Sequence, residues 1–416
     1  MYSNMDILRL ARKITITLFL AMSFGSAGFI VVATVNSIVG AQISGNPAWA
    51  GLPAAVFTLG MAFSSYLLGF AMDRFGRRLG MLIGLLVGLA GAVLSAGSIG
   101  LASFPLFLAG MAFMGTARAA LQLGRFAAAE VHPPEQRGRA ISNVVIGGTV
   151  GAELGPWLAG PMGQWSLGAG YDEMVGPFVA SFVLIVLAAL VIFIMLRPDP
   201  LDLGKEVARQ YPETRLDEHQ VRPFSQIVRV PAAAVAIVAM VISTMVMVML
   251  MGITALHMRD NDHALINISL VISAHTFGMY AFSIFSGQLA DRWGRGPVLL
   301  VGAGGLVLAS LFAPLSPDVV PLAAALFLLG LGWNFCYVGG SALLADQLNS
   351  LERSRTQGVN DLLVGIATAA GSFISGLIFA AWGYGLVGTI GLFLALIPLG
   401  MTFWWWSGQR RIAVSH

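Results

Sequence analysis

Charge is what this chain has least of: Asp, Glu, Lys and Arg make up 10% of its 416 residues. A soluble domain carries about 25%, so an ordinary solvated surface is excluded. Cysteine occurs once, as Cys336 inside an apolar run, which rules out an internal disulfide. The six histidines form no grouping with cysteine or carboxylates at metal-ligand spacing, so no metal site is expected. A Gly-rich phosphate loop of the Walker type is also missing; an ATP-driven pump would need one here or on a partner. No nucleophile stands beside a base and no sensory domain is present, which ranks a membrane enzyme or receptor low. Ten-residue segments of alternating polarity are absent, which argues against a β-barrel.

What is abundant is apolar. Residues of the AVILMFWYC class reach 57%, and the mean hydropathy is +0.81. Runs long enough to cross about 30 Å of hydrocarbon as helices recur throughout, and 50 glycines suit closely packed membrane helices. The reading is an all-α membrane protein with twelve spans, near 14–38, 50–72, 79–100, 104–130, 140–162, 176–196, 232–256, 265–289, 297–315, 320–346, 359–381 and 385–406. Two six-helix bundles follow, 1–196 and 231–416, joined by a polar linker, 197–230, that holds Pro198, Pro200, Lys205, Glu206, Arg209, Arg215, Asp217, Glu218 and Arg222. The basic start followed by Ile14 to Ile38 is too long for a signal peptide and reads as the first span.

A short motif occurs twice. Gly69 to Arg78 is GFAMDRFGRR, and 218 positions later Gly287 to Gly296 is GQLADRWGRG. A repeat at half the chain length implies two similar halves, a common plan among transporters, with the substrate site between them. With an inside amino terminus, 20 of the 23 Lys and Arg fall on the inner side, Arg259 falls outside, and Arg118 and Arg125 fall within a span. The positive-inside rule then puts both termini in the cytoplasm. The expected setting is a prokaryotic cytoplasmic membrane, with lipid as surroundings and no nucleic-acid partner, because the net charge of +3 belongs to the membrane surface.

Two GxxxDRxGR loops at equivalent places resemble the major facilitator superfamily, and the resemblance covers essentially the whole chain. Glu130 to Arg139, EVHPPEQRGR, is similar to the family's loop between spans four and five; Asp346 to Arg355 is its weaker counterpart. Gly69 and Gly287 would let a helix end approach a neighbour, while Gly76 and Gly294 suit the positive φ of a turn. The resemblance implies a cytoplasmic latch in which Asp73 and Arg77 engage Glu130 and Asp361. Arg74, Arg78, Arg137, Arg139, Asp291, Arg292, Arg295 and Asp346 complete the gate residues, with simple topology-holding open as an alternative for Arg74, Arg78, Arg292 and Arg295. Arg78 is matched by Gly296, so the first copy is expected to carry the stronger latch.

Charges at membrane depth cost at least about 2.5 kcal/mol each unless paired or hydrated. Arg118 is central in span four, Arg125 lies seven residues on along the same face, and Glu153 is central in span five. Two readings stay open for Arg118 and Glu153: a substrate- and proton-coupling pair, or a structural ion pair. Gly151 to Gly160, GAELGPWLAG, resembles the drug and proton antiporters of the superfamily, with Gly151, Gly155, Pro156 and Gly160 as a kink and packing element. Ala159 departs from that pattern. His275 either titrates or donates to substrate, or packs; Asn334, beside Trp333 and Tyr337, either lines a substrate wall or bonds a neighbouring helix. Trp404, Trp405 and Trp406, followed by Arg410 and Arg411, read as an interfacial anchor. The expectation is a secondary active transporter, working as a monomer without cofactor, that exchanges a small organic molecule for protons. The alternative is symport or uniport of an anionic metabolite along Arg118, Arg125 and His275.

Overall fold

A computed structural model describes residues 4–211 and 222–414, and among these every regular element is helical. In chain order the helices are α1 (Asn4–Ala33), α2 (Asn36–Ser44), α3 (Leu52–Phe75), α4 (Arg77–Gly100), α5 (Phe104–Glu130), α6 (Arg137–Gly168), α7 (Val175–Met195) and α8 (Pro200–Gln210). They continue as α9 (Phe224–Ile227), α10 (Pro231–Asp260), α11 (Leu265–Tyr280), α12 (Ser283–Trp293), α13 (Arg295–Phe312), α14 (Val319–Asp346) and α15 (Ser350–Val414). Helix is the expected solution, because hydrocarbon offers no water to satisfy backbone N–H and C=O groups.

Among the described residues nine helices are long and apolar enough to span a membrane, ten when α11 and α12 count as one span bent by 41°. The remaining two of the twelve spans correspond to α6, whose Arg137, Arg139 and Glu153 make it less apolar, and to the second half of α15. That 65-residue helix contains two spans merged across Gly383, where φ is +76°. Burial is uneven: the apolar stretches of α1, α5, α10 and α14 are 61, 56, 61 and 50% buried, against 28% for α3 and 33% for α7. These four are the first and fourth spans of each half, and they form the inner layer of their own bundle.

Two compact units emerge, Met1–Gly45 with Leu52–Thr214, and Asn46–Gly51 with Arg215–His416. The polar linker is thus divided between them. Helix α8 belongs to the first unit, where it buries Leu203 and Val207, and α9 belongs to the second, burying Ile227. Linker residues Arg215, Asp217 and Glu218 lie outside the described residues.

Small residues set the helix spacing inside each unit. Along the seam between α1 and α6, a Cβ added at Gly147, Gly151 or Gly155 would stand 2.4, 1.9 or 2.8 Å from the carbonyl oxygens of Phe19, Ser23 and Ala27. Both series advance by four residues, so one ridge of α6 lies along one ridge of α1. Helix α6 continues through Pro156 and Pro161, and Gly151 and Gly155 of the GAELGPWLAG stretch are packing positions. In the second unit α13 and α14 cross where a Cβ at Gly302 would meet the Gly332 carbonyl at 2.9 Å.

Candidate functional site

The two repeated loops build two matching ion clusters. In the first, Arg77 opens α4, the α3–α4 turn being made by Gly76 at φ +96°. Its guanidinium donates to Asp73 at 2.5 Å and reaches Glu130 on α5 through Nε at 3.0 Å and Nη2 at 2.5 Å. In the second, Gly294 has φ +88°, and Arg295 donates to Asp291 at 2.6 Å and to Asp346 on α14 at 3.0 Å. Each arginine ties the end of one helix to the end of the second helix beyond it. The fork of N–H donors suits two carboxylates at once. Asp361 accepts from Gln357 at 3.1 Å within the second unit.

The copies differ in how the turn is finished. Asp199, just ahead of α8, accepts from the backbone N–H groups of Arg77 and Arg78, both at 3.0 Å, and from Leu201 at 2.9 Å. One carboxylate therefore satisfies orphan donors of two helix starts. The Arg78 guanidinium lies 5.1 Å from the Phe193 ring and donates to the Phe193 carbonyl at 2.6 Å. In the second copy Gly296 stands where the first has Arg78, and a Cβ there would stand 2.4 Å from the Trp406 ring. Trp406 is thus a packing partner of the loop as well as part of the tryptophan run. Asp199 is invisible to local sequence patterns, since it acts across 122 and 121 residues.

Gly69 and Gly287 correct an expectation. Nothing lies within 4 Å of a Cβ placed at either residue, so close helix approach does not account for glycine there in this conformation. Arg74 and Arg292 are exposed, in keeping with the topology-holding alternative. Arg137 is half-buried and Nε donates to the His132 carbonyl at 3.4 Å. Arg139 is exposed.

A third ionic site was missed altogether. Glu352, with its side chain fully buried, accepts from the Arg222 backbone N–H at 2.9 Å and from its guanidinium Nε and Nη2 at 2.8 Å each. It also accepts from the Asn349 N–H at 3.1 Å, while Asn349 Oδ1 accepts from the Glu352 N–H at 2.9 Å, a reciprocal capping box at the start of α15. The Arg222 guanidinium, aided by these N–H groups, pulls the Glu352 carboxyl down to about 2 and raises the Arg222 pKa in return. Asn-x-x-Glu was the available signal.

At membrane depth the first unit ties Arg118 to α1. Arg118 on α5 donates from Nη1 to Ser26 Oγ at 2.9 Å and lies 5.6 Å from the Phe29 ring, which is 5.8 Å from Phe57. Ser26 Oγ is also 3.3 Å from where a Cβ of Gly148 would sit. Helix α6 therefore meets the same turn of α1 that holds Arg118. Glu153, half-buried, stands between the contact glycines Gly151 and Gly155. Arg125 is half-buried, 4.8 Å from the Phe126 ring.

In the second unit two residues make the helix-joining contacts that were one of their two readings. His275 is fully buried, and its Nδ1 bonds the Leu326 carbonyl on α14 at 3.0 Å while Gly330 lies against its backbone. It joins α11 to α14 and is not part of an open cationic track. Asn334, 2% exposed, donates to the Met279 carbonyl at 2.6 Å and to Ser283 Oγ at 2.8 Å. The break between α11 and α12 releases that carbonyl from helical bonding, and a buried acceptor needs a donor. Asn334 is a brace for the broken span, whereas half-buried Trp333 and Tyr337 stack at 5.0 Å beside it. Trp333 Nε1 is satisfied by Thr244 Oγ1 at 3.0 Å.

These paired loops and bundles have counterparts among known proteins. The profile described as Major Facilitator Superfamily matches residues 15–261 and 236–411. The chain is 34% identical over 385 residues to the MFS-type transporter YdeG of Bacillus subtilis (strain 168), covering 92% of this chain and 89% of YdeG. It is 31% identical over 397 residues to the riboflavin transporter RfnT of Brucella anthropi, covering 94% and 95%. A bacterial homologue of the human lysosomal transporter Spinster, crystallised inward-facing and unoccupied, shares the fold with a TM-score of 0.67 at 17% identity, covering 94% and 92%. The chain belongs to the major facilitator superfamily and is a multi-pass membrane transporter, not an enzyme.

Proposed function

We propose that the protein is a secondary active transporter that exchanges a small organic solute for protons by alternating access, with the basic loops and both termini on the cytoplasmic side. The observation that carries this reading is the Arg118–Ser26 bond on the turn of α1 against which the Glu153 helix is seated. A carboxylate that takes up a proton and an arginine that binds cargo, held on neighbouring helices, allow one event to bias the other through charge. The similarity of Gly151 to Gly160 to the antiporter pattern supports the same direction, and the Arg77 and Arg295 clusters would brace the cytoplasmic ends during rocking.

A thermal-shift screen of metabolites and antibiotics tests it: ligands that raise the melting temperature of the parent and not of Arg118→Ala report the central site. If every stabilising ligand acts equally on both proteins, Arg118 has no part in binding. The second reading is symport or uniport of an anionic metabolite, favoured by the cationic residues Arg118 and Arg125 on α5. The full-length similarity to a riboflavin transporter puts riboflavin on the list of ligands to screen.

A further inference from the structure

The first unit contains a cavity of about 710 Å³ at its basic end, where α1, the α5–α6 loop and the start of α6 meet. Arg12 and Arg139 line it from the two helices, and His132 lines it from the loop. Gln136 and Asn143 add hydrogen-bonding groups, and Phe19 and Ile146 belong to its apolar wall. Among the described residues no carboxylate lines it. His132 Nδ1 is engaged by the Ala128 carbonyl at 2.8 Å, which fixes the ring.

The cavity has a cause in the sequence. Glycines at 147, 151 and 155 draw α6 onto α1, whereas towards the basic end the facing positions are Ala140, Asn143 and Arg139, and the helices separate. The lining residues on α1, including Arg12, Thr15 and Phe19, advance by three or four positions. The same stripe continues through Ser23 to Ser26, the partner of Arg118. Fourteen residues separate Arg12 from Ser26, about 21 Å along a helix; α1 thus joins the wall of the cavity to the turn that holds the deep arginine, and between them α6 closes over Phe19 and Ser23.

We infer that this cavity is a loading site for an amphipathic organic anion, whose charge is received by Arg12 and Arg139 and whose apolar body lies against Phe19 and Ile146. The inference rests on the transport reading and adds the cargo's chemical class. Two cations facing an apolar wall match a carboxylate, sulfonate or phosphate carried on a hydrophobic body. An anionic lipid headgroup has the same chemistry, and the test separates the two.

The probe is dansylglycine, with its uncharged amide as the isosteric control, measured by fluorescence anisotropy against the full chain in phosphatidylcholine nanodiscs. The parent should bind the acid more tightly than the amide. Substituting both Arg12→Gln and Arg139→Gln should weaken the acid by roughly ten-fold or more and leave the amide unchanged. Both arginines are exposed, and an unaltered melting temperature certifies the double variant's fold. Equal affinity for acid and amide, or no loss in the double variant, overturns the inference. So does displacement of dansylglycine from the parent when phosphatidylglycerol is added to the discs, because the site would then belong to lipid. Binding needs no turnover: loss of flux with binding intact removes the transport reading alone, and flux with arginine-independent binding removes this inference alone.

Discussion

Adding one methyl group at Gly151 is the sharpest perturbation of the seam that carries Arg118 and Glu153. The new Cβ of Gly151→Ala would stand 1.9 Å from the Ser23 carbonyl oxygen, about 1.1 Å inside the 3.0 Å below which such contacts are essentially unknown. The obstacle is backbone, so a side-chain rotation cannot relieve it; α1 and α6 must move apart, losing contact along several turns. Overpacking of this kind costs about 1–3 kcal/mol. Gly147→Ala and Gly155→Ala intrude by about 0.6 and 0.2 Å, so the losses should rank 151, then 147, then 155. Gly138→Ala on the same helix meets nothing within 4 Å and should be neutral or gain up to about 1 kcal/mol from helix propensity. Melting temperatures of the four purified variants, followed by tryptophan fluorescence, provide the ranking. A Gly151→Ala protein that melts with the parent, or a ranking unrelated to the intrusion, would refute the reasoning.

Removing the shared cap with Asp199→Ala strips an acceptor from three backbone N–H groups and should cost about 1–2 kcal/mol; an unchanged melting temperature would contradict the cap's role. Glu352→Gln should be less stable than the parent at neutral pH. The folded carboxyl, at about 2, lies below its ordinary 4.5, so its contribution is complete above 4.5 and disappears as pH falls towards 2. The gap in melting temperature between parent and variant should therefore close over that interval, and a constant gap would show that charge is not involved. Gly296→Arg, which restores the residue of the first loop, should destabilise by driving Cβ into the Trp406 ring. Combining it with Trp406→Ala should recover part of the loss, and strict additivity would exclude the contact.

The first ion cluster was legible because each partner lies in a short charged break between apolar runs, where few residues compete. Arg77 with Glu130 is the consequence; the matching pair of Arg295 with Asp346 was not read in advance, since topology-holding stayed open for Arg295. The glycine ladder was legible as a packing pattern, but its partner was not: helical spacing identifies a ridge without saying which helix lies along it, and that helix is α1. For His275 and Asn334 the sequence left two readings open for a related reason. Polarity at mid-membrane signals that a group needs a partner, and a backbone carbonyl on the next helix serves as well as a substrate. The bonds of Asp199 to the Arg77 and Arg78 N–H groups and of Glu352 to Arg222 escaped notice because they reach across 121–130 residues, to positions chosen by the fold, whereas the Asn349–Glu352 capping box was a local signal left unread.

The central claim is that solute and proton move in opposite directions with Glu153 as the proton carrier. Proteoliposomes loaded with a ligand found by the thermal-shift screen, containing a pH-sensitive dye and diluted into ligand-free buffer, test it most directly. Outward flux through the parent should acidify the lumen, and Glu153→Gln should lack that acidification while still exchanging ligand when it is supplied on both sides. Alkalinisation or a steady pH in the parent, or equal acidification by Glu153→Gln, would contradict the account.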